Sequence, residues 1–229
     1  MSVEELDIVD FHAHVLPCAD HGSSSVSTSL SQLRFAKEHG VSRIIATPHF
    51  YPHRHTLEKF LNRRANAYEA LKAQLFDGAP RIKLGAEVLL CEGFENFDGI
   101  DELCITGTKT LLLELPFTEF RRVYLDTASE LLSRGFEIVL AHVDRYPKKS
   151  IDAMLDIGVS KFQINAPSIS GLFKKKHIMD WVREGFVVAL GSDIHNEDKK
   201  AYKAFKKAVG ALGEEKECIA EFSNYIFEK

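Results

Sequence analysis

Histidines and acids stand at the ends of short apolar runs throughout this chain. They are His12 and His14 in DFHAH, His21 in CADHG, His49 in ATPHF, Glu87 in LGAEV, Glu114 in LLLELPF, His142 in VLAHVDRY, and Asp193 with His195 in LGSDIHN. Each has a bland alternative when taken singly. His12 and His14 could be a satisfied histidine pair, Asp193 could cap the following helix, and Glu114 could pair with a lysine or arginine of a neighbouring strand. An unpaired carboxylate among leucines costs several kcal/mol, so Glu114 needs a cation in either case. The conjunction decides: nine nitrogen or oxygen donors fall at the same end of successive runs. A catalytic zinc takes three protein ligands and a structural one four, so nine donors suit two or three ions sharing a carboxylate. Paired divalent ions ~3.5–4 Å apart generate hydroxide near neutral pH and clamp the oxygens of a phosphoryl displacement. Metal-bound hydroxide is therefore the expected nucleophile. Arg145, three residues beyond His142, can offer a two-pronged guanidinium to the remaining phosphate charge. With no thiolate in the set, manganese, iron, zinc and cobalt all remain candidates.

The elements that must carry these residues alternate. Apolar, β-branched segments at 7–12, 43–47, 83–88, 110–115, 137–142, 161–165 and 186–191 read as strands covered on both faces. Amphipathic segments at 27–39, 56–75, 120–134, 150–155, 174–184 and 199–212 read as helices, and Gly40, Gly135 and Gly185 stand where three of them should stop. Seven strand–helix alternations predict a parallel sheet. Neither a G-x-G-x-x-G after the first strand nor a Walker A sequence is present. Ionisable groups at one strand end after another favour a (β/α)7 TIM-like barrel over an open sheet, with the site on its C-terminal face.

The 229 residues fit one domain, 1–229, without linker or repeat. A net charge of −4 argues against nucleic-acid or anionic-membrane binding. No apolar run approaches the ~20 residues of a membrane span, and MSVEELDIVDFH lacks the basic and apolar regions of a signal peptide. A cytoplasmic protein is expected. Cys18, Cys91, Cys104 and Cys218 are scattered and expected to be free thiols.

DFHAHVLP, IIATPHF, LGAEV, LLLELPF, LAHVDRY and LGSDIHN, in this order, resemble the PHP (polymerase and histidinol phosphatase) superfamily. Within it they are most similar to bacterial manganese-dependent tyrosine phosphatases of capsular and exopolysaccharide synthesis. The resemblance spans essentially the whole chain. It implies a distorted seven-stranded barrel, two or three divalent ions with manganese favoured, and a phosphotyrosine protein tail as substrate. It also implies that His12, His14, Glu87 and Asp193 hold one ion, and that Glu87 bridges to a second on Glu114 and His142. His21, His49 and His195 would hold a third, and Arg145 would bind the phosphate, making Glu87 and Arg145 the residues closest to the chemistry. The chain departs from the family pattern twice. His21 stands where relatives carry the second aspartate of D-D-G, and Val143-Asp144 replaces the Pro-Glu of H-P-E-R ahead of Arg145.

Other residues are assigned less chemistry. His39 should cap a helix end, and His177 should be exposed. His53, Arg54 and His55 could line the site mouth, while Lys148-Lys149, Lys174-Lys175-Lys176 and Lys199-Lys200 read as solvated faces. Phe222, Tyr225, Ile226 and Phe227 could pack on the barrel or on a second subunit in an oligomer. No cysteine has arginine at C-x5-R spacing and no D-x-D occurs, so cysteinyl- and aspartyl-phosphate routes are set aside. The alternatives are a small-molecule phosphatase such as one acting on histidinol phosphate, an amidohydrolase-type metal hydrolase, a nuclease, and a degenerate interaction module. The amidohydrolase pattern needs a lysine where Glu114 stands. The nuclease reading is disfavoured by the acidic balance, and degeneracy by the nine intact donors.

Overall fold

β1 (Asp10–Ala13) is buried along its length and leads to α1 (Val26–Glu38), whose N-cap Ser25 accepts a hydrogen bond from the Thr28 N–H. The computed structural model describes residues 6–117, 120–171 and 176–229. The chain continues through β2 (Arg43–Ala46), β3 (His49–Phe50), α2 (Leu57–Lys72), β4 (Arg81–Leu84), β5 (Glu87–Leu89) and β6 (Thr110–Glu114). Then come α3 (Val123–Ser133), β7 (Glu137–Leu140), α4 (Lys148–Asp156), β8 (Lys161–Asn165), a short α5 (Pro167–Ser170) and α6 (Lys176–Arg183). β9 (Val187–Gly191), α7 (Lys199–Leu212) and α8 (Lys216–Glu228) complete it. The stops at Gly40, Gly135 and Gly185 are as expected, each at positive φ (88°, 81° and 76°), where a side chain would be strained.

The strands form one parallel sheet in the order β3-β5-β6-β7-β8-β9-β1-β2-β4. The expected seven strands are thus corrected to nine among the described residues. The anticipated segment 83–88 is broken into β4 and β5, and a further strand, β3, follows the one anticipated at 43–47. Pro48 has no N–H for the ladder and splits β2 from β3, while Gly85-Ala86 separates β4 from β5 opposite that break. β2 lies beside β1 with β4 outside it, whereas β5 lies beside β6 with β3 outside it. Pairing persists through the kink, since Gly85 N–H donates to Ala46 O (2.9 Å) and Glu87 N–H to Pro48 O (3.1 Å). The two kinked segments therefore join opposite ends of a curled, barrel-like parallel sheet.

Period-two alternation places the chemistry inside that curl. Leu111 and Leu113 of β6 pack in the larger core shared with the helices, whereas Leu112 packs with Val9, Phe11, Ile45 and Val139 within the sheet. Glu114 is two residues from Leu112 and shares its face. The opposite end of the curl is stoppered by α8, whose Ile226 and Phe227 join the inner cluster with Phe222 against it. Lys83 Nζ donates to Phe227 O at 3.0 Å, and Asn224 reaches Asp7 ahead of β1. The terminal apolar segment thus packs on its own barrel, with Tyr225 left exposed.

Two surface expectations hold and one does not. The ring Nδ1 of His39 donates to Phe35 O (2.8 Å) at the end of α1, and Lys148, Lys149, Lys176, Lys199 and Lys200 are exposed. His177 is half-buried, its ring edge-on to Trp181 with centroids 5.2 Å apart, because the apolar face of α6 draws it inward. Lys174 and Lys175 lie outside the described residues. No helix among those described is long and apolar enough to cross a membrane.

Candidate metal centre

Glu87 enters the barrel mouth at the start of β5 and is almost wholly buried. Its Oε2 lies 3.1 Å from His12 Nε2, 3.2 Å from His14 Nε2 and 2.9 Å from His49 Nδ1. Its Oε1 lies 2.7 Å from His142 Nε2, which in turn stands 3.6 Å from Glu114 Oε1. No lysine or arginine is within ion-pair distance of Glu114 among the described residues, so the simple salt-bridge alternative fails. Asp193 Oδ1 completes the cluster, 3.4 Å from His14 Nε2 and 3.7 Å from His12 Nε2. Three groups offer converging ligand atoms: His12–His14–Glu87, His49–Glu87–Glu114 and His14–His49–His195.

His21 and His142 are placed differently within this ring of imidazoles. His142 touches both carboxylates of the second group, as above. His21 is exposed and stacks beside His49 (centroids 4.9 Å) and His195 (4.7 Å) without a ligand atom in any convergent group. Asp193 does not cap a helix, that role before α7 falling to Asp198.

The donor chemistry fits divalent cations. His12 Nδ1 faces Gln163 Oε1 at 3.0 Å and His14 Nδ1 faces Asp20 Oδ2 at 2.7 Å. Each ring thus has its outer nitrogen engaged as metal-bound histidines do, leaving two Nε2 atoms 3.1 Å apart and aimed at one another. His195 repeats the pattern, with Nδ1 3.0 Å from the Asp193 carbonyl and a buried Nε2 that has no hydrogen-bond partner. Two lone pairs meeting beside several carboxylates call for positive charge between them.

The electrostatics agree. Burial lowers the basicity of His12, but the Glu87 and Asp193 carboxylates outweigh it and hold its pKa up to about 9. His14 is raised well above its usual value against the same burial, by Asp193, Asp20 and Glu87. Glu114 is pushed up to about 8 by burial and by Glu87. The metal-free centre therefore carries protons at pH 7 where cations would sit. Since ligation needs neutral imidazole and ionised carboxylate, manganese uptake at pH 7 should release protons. Titration calorimetry in phosphate-free buffers of different ionisation enthalpy would read this as a heat that changes with buffer. An identical heat in every buffer would count against the assignment.

Backbone and partners hold the acids in place. Asp10 Oδ1 and Oδ2 accept from the Ser192 N–H (2.8 Å) and hydroxyl (2.6 Å), tying the turn after β9 to β1. That turn carries Asp193 at φ 49°, and His142 sits at φ 34° ahead of the single turn bearing Arg145. Left-handed backbone at non-glycine residues costs of order 1–3 kcal/mol each, and the surrounding hydrogen bonds must offset it. Arg145 Nη2 donates to Asp193 Oδ2, so this arginine reaches the centre with Val143 following His142, while its side chain stays 44% exposed. Asn165 Nδ2 donates to the same oxygen at 2.9 Å.

Asp10, Asp20, Gln163 and Asn165 are supporting residues that the motif reading did not single out. A signal existed: Gln163 and Asn165 interrupt the apolar run KFQIN, and Asp20 adjoins His21. His53 and Arg54 are exposed beyond β3, whereas His55 is half-buried and its Nδ1 accepts from the Tyr51 N–H at 3.2 Å. Tyr51 stacks on His49, with centroids 5.2 Å apart.

Beside the centre lies a cleft of about 450 Å³ lined by Leu115, Phe117, Phe120, Arg145, Tyr146 and Lys149 among others. Phe117 is 64% exposed and stacks on both His142 (5.9 Å, 18°) and Tyr146 (5.5 Å, 29°). The Tyr146 hydroxyl donates to Leu115 O at 2.9 Å, which fixes that ring.

Known proteins with this pattern are informative. The chain is 26% identical to the tyrosine-protein phosphatase YwqE of Bacillus subtilis over 204 residues, covering 82% of this chain and 78% of that protein. It is 24% identical to the tyrosine-protein phosphatase CpsB of Streptococcus pneumoniae over 230 residues, covering 89% and 92%. The putative tyrosine-protein phosphatase CapC of Staphylococcus aureus is 28% identical over 209 residues, covering 82% and 77%. Crystal structures described as YwqE and CpsB, metal-dependent tyrosine phosphatases, share the fold, with a TM-score of 0.80 at 22% identity and coverage of 96% and 94%. An adenine deaminase from Arthrobacter aurescens has a TM-score of 0.55 at 13% identity, with coverage of 96% and 93%, a likeness of fold alone. The resemblance carried by DFHAHVLP through LGSDIHN is borne out, because the model of the capsular polysaccharide synthesis family CpsB/CapC matches residues 8–218, and the chain belongs to that family.

Proposed function

We propose that this chain is a metal-dependent phosphomonoester hydrolase whose substrate is a phosphotyrosine-bearing protein segment, met in the cytoplasm during capsular or exopolysaccharide synthesis. The observation that carries the reading is one carboxylate, Glu87, shared among His12, His14, His49 and His142 beside a cleft that is aromatic and cationic. His12, His14, Glu87 and Asp193 would hold one ion, and Glu87, Glu114 and His142 a second. A third would rest on His49 and His195 with His21 turned inward, manganese being favoured throughout. Such ions, when bound, lower the pKa of water and offset phosphoryl charge.

The protein's own groups do the rest. Arg145 is exposed enough to offer N–H donors to phosphoryl oxygens, while its bond to Asp193 sets its direction. Phe117, stacked and half open, gives an aryl ring a face to lie on. The described cleft residues include Arg145 and Lys149 but no carboxylic acid. The Tyr146 hydroxyl is committed to a carbonyl and pushed far up by burial. A leaving group that tolerates departure as an anion suits such a cleft, and a phenol with pKa about 10 meets that condition far better than an alkyl alcohol.

The test compares kcat/KM of the manganese-loaded protein on a phosphotyrosine peptide, a phosphoserine peptide and histidinol phosphate. Preference for the phosphotyrosine peptide is expected; preference for histidinol phosphate would favour the small-molecule alternative, and inactivity on all three would remove the reading. Phe117→Ala should lower kcat/KM roughly fivefold on aryl phosphates, from loss of a stacking contact worth about 1 kcal/mol. Small alkyl phosphates should hardly notice the change.

A further inference from the structure

The strand–helix unit built on β8 is the one that offers no candidate ligand among the described residues. It presents two buried amides instead, Gln163 and Asn165, two residues apart on the same side of the strand. Gln163 Oε1 accepts the main-chain N–H of His142 at 2.7 Å, and a main-chain N–H can only donate, so the orientation of this amide is fixed. The same oxygen lies 3.0 Å from His12 Nδ1, which must therefore carry the hydrogen. His12 Nε2 is left to face His14 and Glu87.

The other end of the amide continues in the same sense. Gln163 Nε2 donates to Asn165 Oδ1 at 3.0 Å, and Asn165 Nδ2 donates to Asp193 Oδ2 at 2.9 Å. With Arg145 also on Oδ2, Asp193 has Oδ1 turned toward His12 and His14. The packing leaves no slack. A Cβ at Gly191 would lie 2.5 Å from Gln163 Nε2 and 2.7 Å from His12 Cβ, so only glycine admits this arrangement.

We infer that Gln163 is a positioning residue for the divalent cation between His12, His14, Glu87 and Asp193. It selects the His12 nitrogen free for the ion and, through Asn165, the Asp193 oxygen presented to it. This rests on the metal-centre reading above but not on the identity of the phosphorylated substrate. The outer partners of metal-bound histidines typically govern affinity by 10–100-fold, and that range sets the expected effect.

Manganese affinity of the metal-stripped full chain, measured by competition with a chelating dye, is the readout, alongside the melting temperature without metal. Gln163→Met keeps the volume and removes both hydrogen-bonding functions, and should weaken the tightest site about 10–100-fold. Gln163→Glu restores an acceptor for His12 Nδ1–H and His142 N–H but not the donor to Asn165, and should bind manganese at least roughly threefold more tightly than Gln163→Met, an amount that packing alone would not recover. Wild-type affinity in Gln163→Met, or equal weakness in both variants, would overturn the assignment. Should Gln163→Met fail to fold, Asn165→Val removes both hydrogen bonds that link Gln163 to Asp193 and should cost about tenfold, wild-type affinity again being the contrary result. A wild-type chain that takes up no manganese would overturn the metal centre itself, whereas a normal pattern of affinities without phosphatase turnover would overturn only the substrate reading.

Discussion

Glu87→Gln should strip the protein of at least half its bound manganese and lower turnover of an aryl phosphate by at least 10²–10³-fold, the scale on which removal of a single preorganised electrostatic group acts. The change keeps side-chain volume, so the loss would trace to charge. Oε2 is shared by three imidazoles and Oε1 by a fourth, and the amide would set an N–H donor against ring nitrogens that must keep their lone pairs for a cation. The same carboxylate is the leading attraction that holds His12 up to about 9 against burial. Without it His12 and His14 should lose protons more readily, so proton release on manganese uptake should shrink with the metal content. Elemental analysis of the purified variant, with circular dichroism to establish folding, reads both effects. Glu92→Gln is the control, since that exposed carboxylate pairs, among the described residues, with exposed Arg121 at the surface and should change neither metal nor turnover. Full metal content and full turnover in Glu87→Gln would mean that the centre is not built around this residue.

Much of this centre was legible in the sequence because a strand's register converts a one-dimensional run into a direction. Glu114 follows Leu112 by two, and Leu112 packs inside the sheet, so an acid in LLLELPF had to face the inner space. Alternation alone does not recover His12 or His142, whose neighbours Phe11 and Ala141 are the inner-facing residues; an irregular register within β1 and left-handed backbone at His142 (φ 34°) bring those rings to the centre. The strand count was not legible, because Pro48 and Gly85 interrupt the chain between β2 and β3 and between β4 and β5, which pair on opposite sides of the curl. Such a break follows from closure of the whole sheet, which no local run of residues records. Asn165 and Gln163 were missed for a related reason. An amide in a strand is an ordinary residue until its hydrogen bonds are known, and those bonds run to β1, to His142 after β7 and to the turn after β9. His21 marks the limit of motif reasoning in the other direction. Its neighbours put it beside His49 and His195, but its ring remains exposed and outside every convergent group.

Arg145 separates catalysis from support within one contact. If it serves only to pin Asp193 through the bond to Oδ2, Arg145→Ala should loosen the metal and lose activity in proportion. If it grips the phosphoryl group, metal content should stay near wild type while kcat/KM falls by about 10²–10³-fold. The second outcome is the one expected, on geometric grounds. Asp193 keeps Asn165 on the same oxygen and two imidazoles near the other, so it does not depend on Arg145 alone. The Arg145 side chain is 44% exposed at the edge of the aromatic cleft, a position a purely structural buried pair would not need. Arg145→Lys keeps the charge but not the fork, and should recover only part of the loss. Inhibition by inorganic phosphate gives an independent readout, because a residue that holds phosphoryl oxygens also holds the product. Phosphate should inhibit Arg145→Ala about tenfold less strongly than wild type, on the scale of one charge-assisted hydrogen bond to an anion. Unchanged inhibition alongside reduced metal content would reassign Arg145 to the support of Asp193.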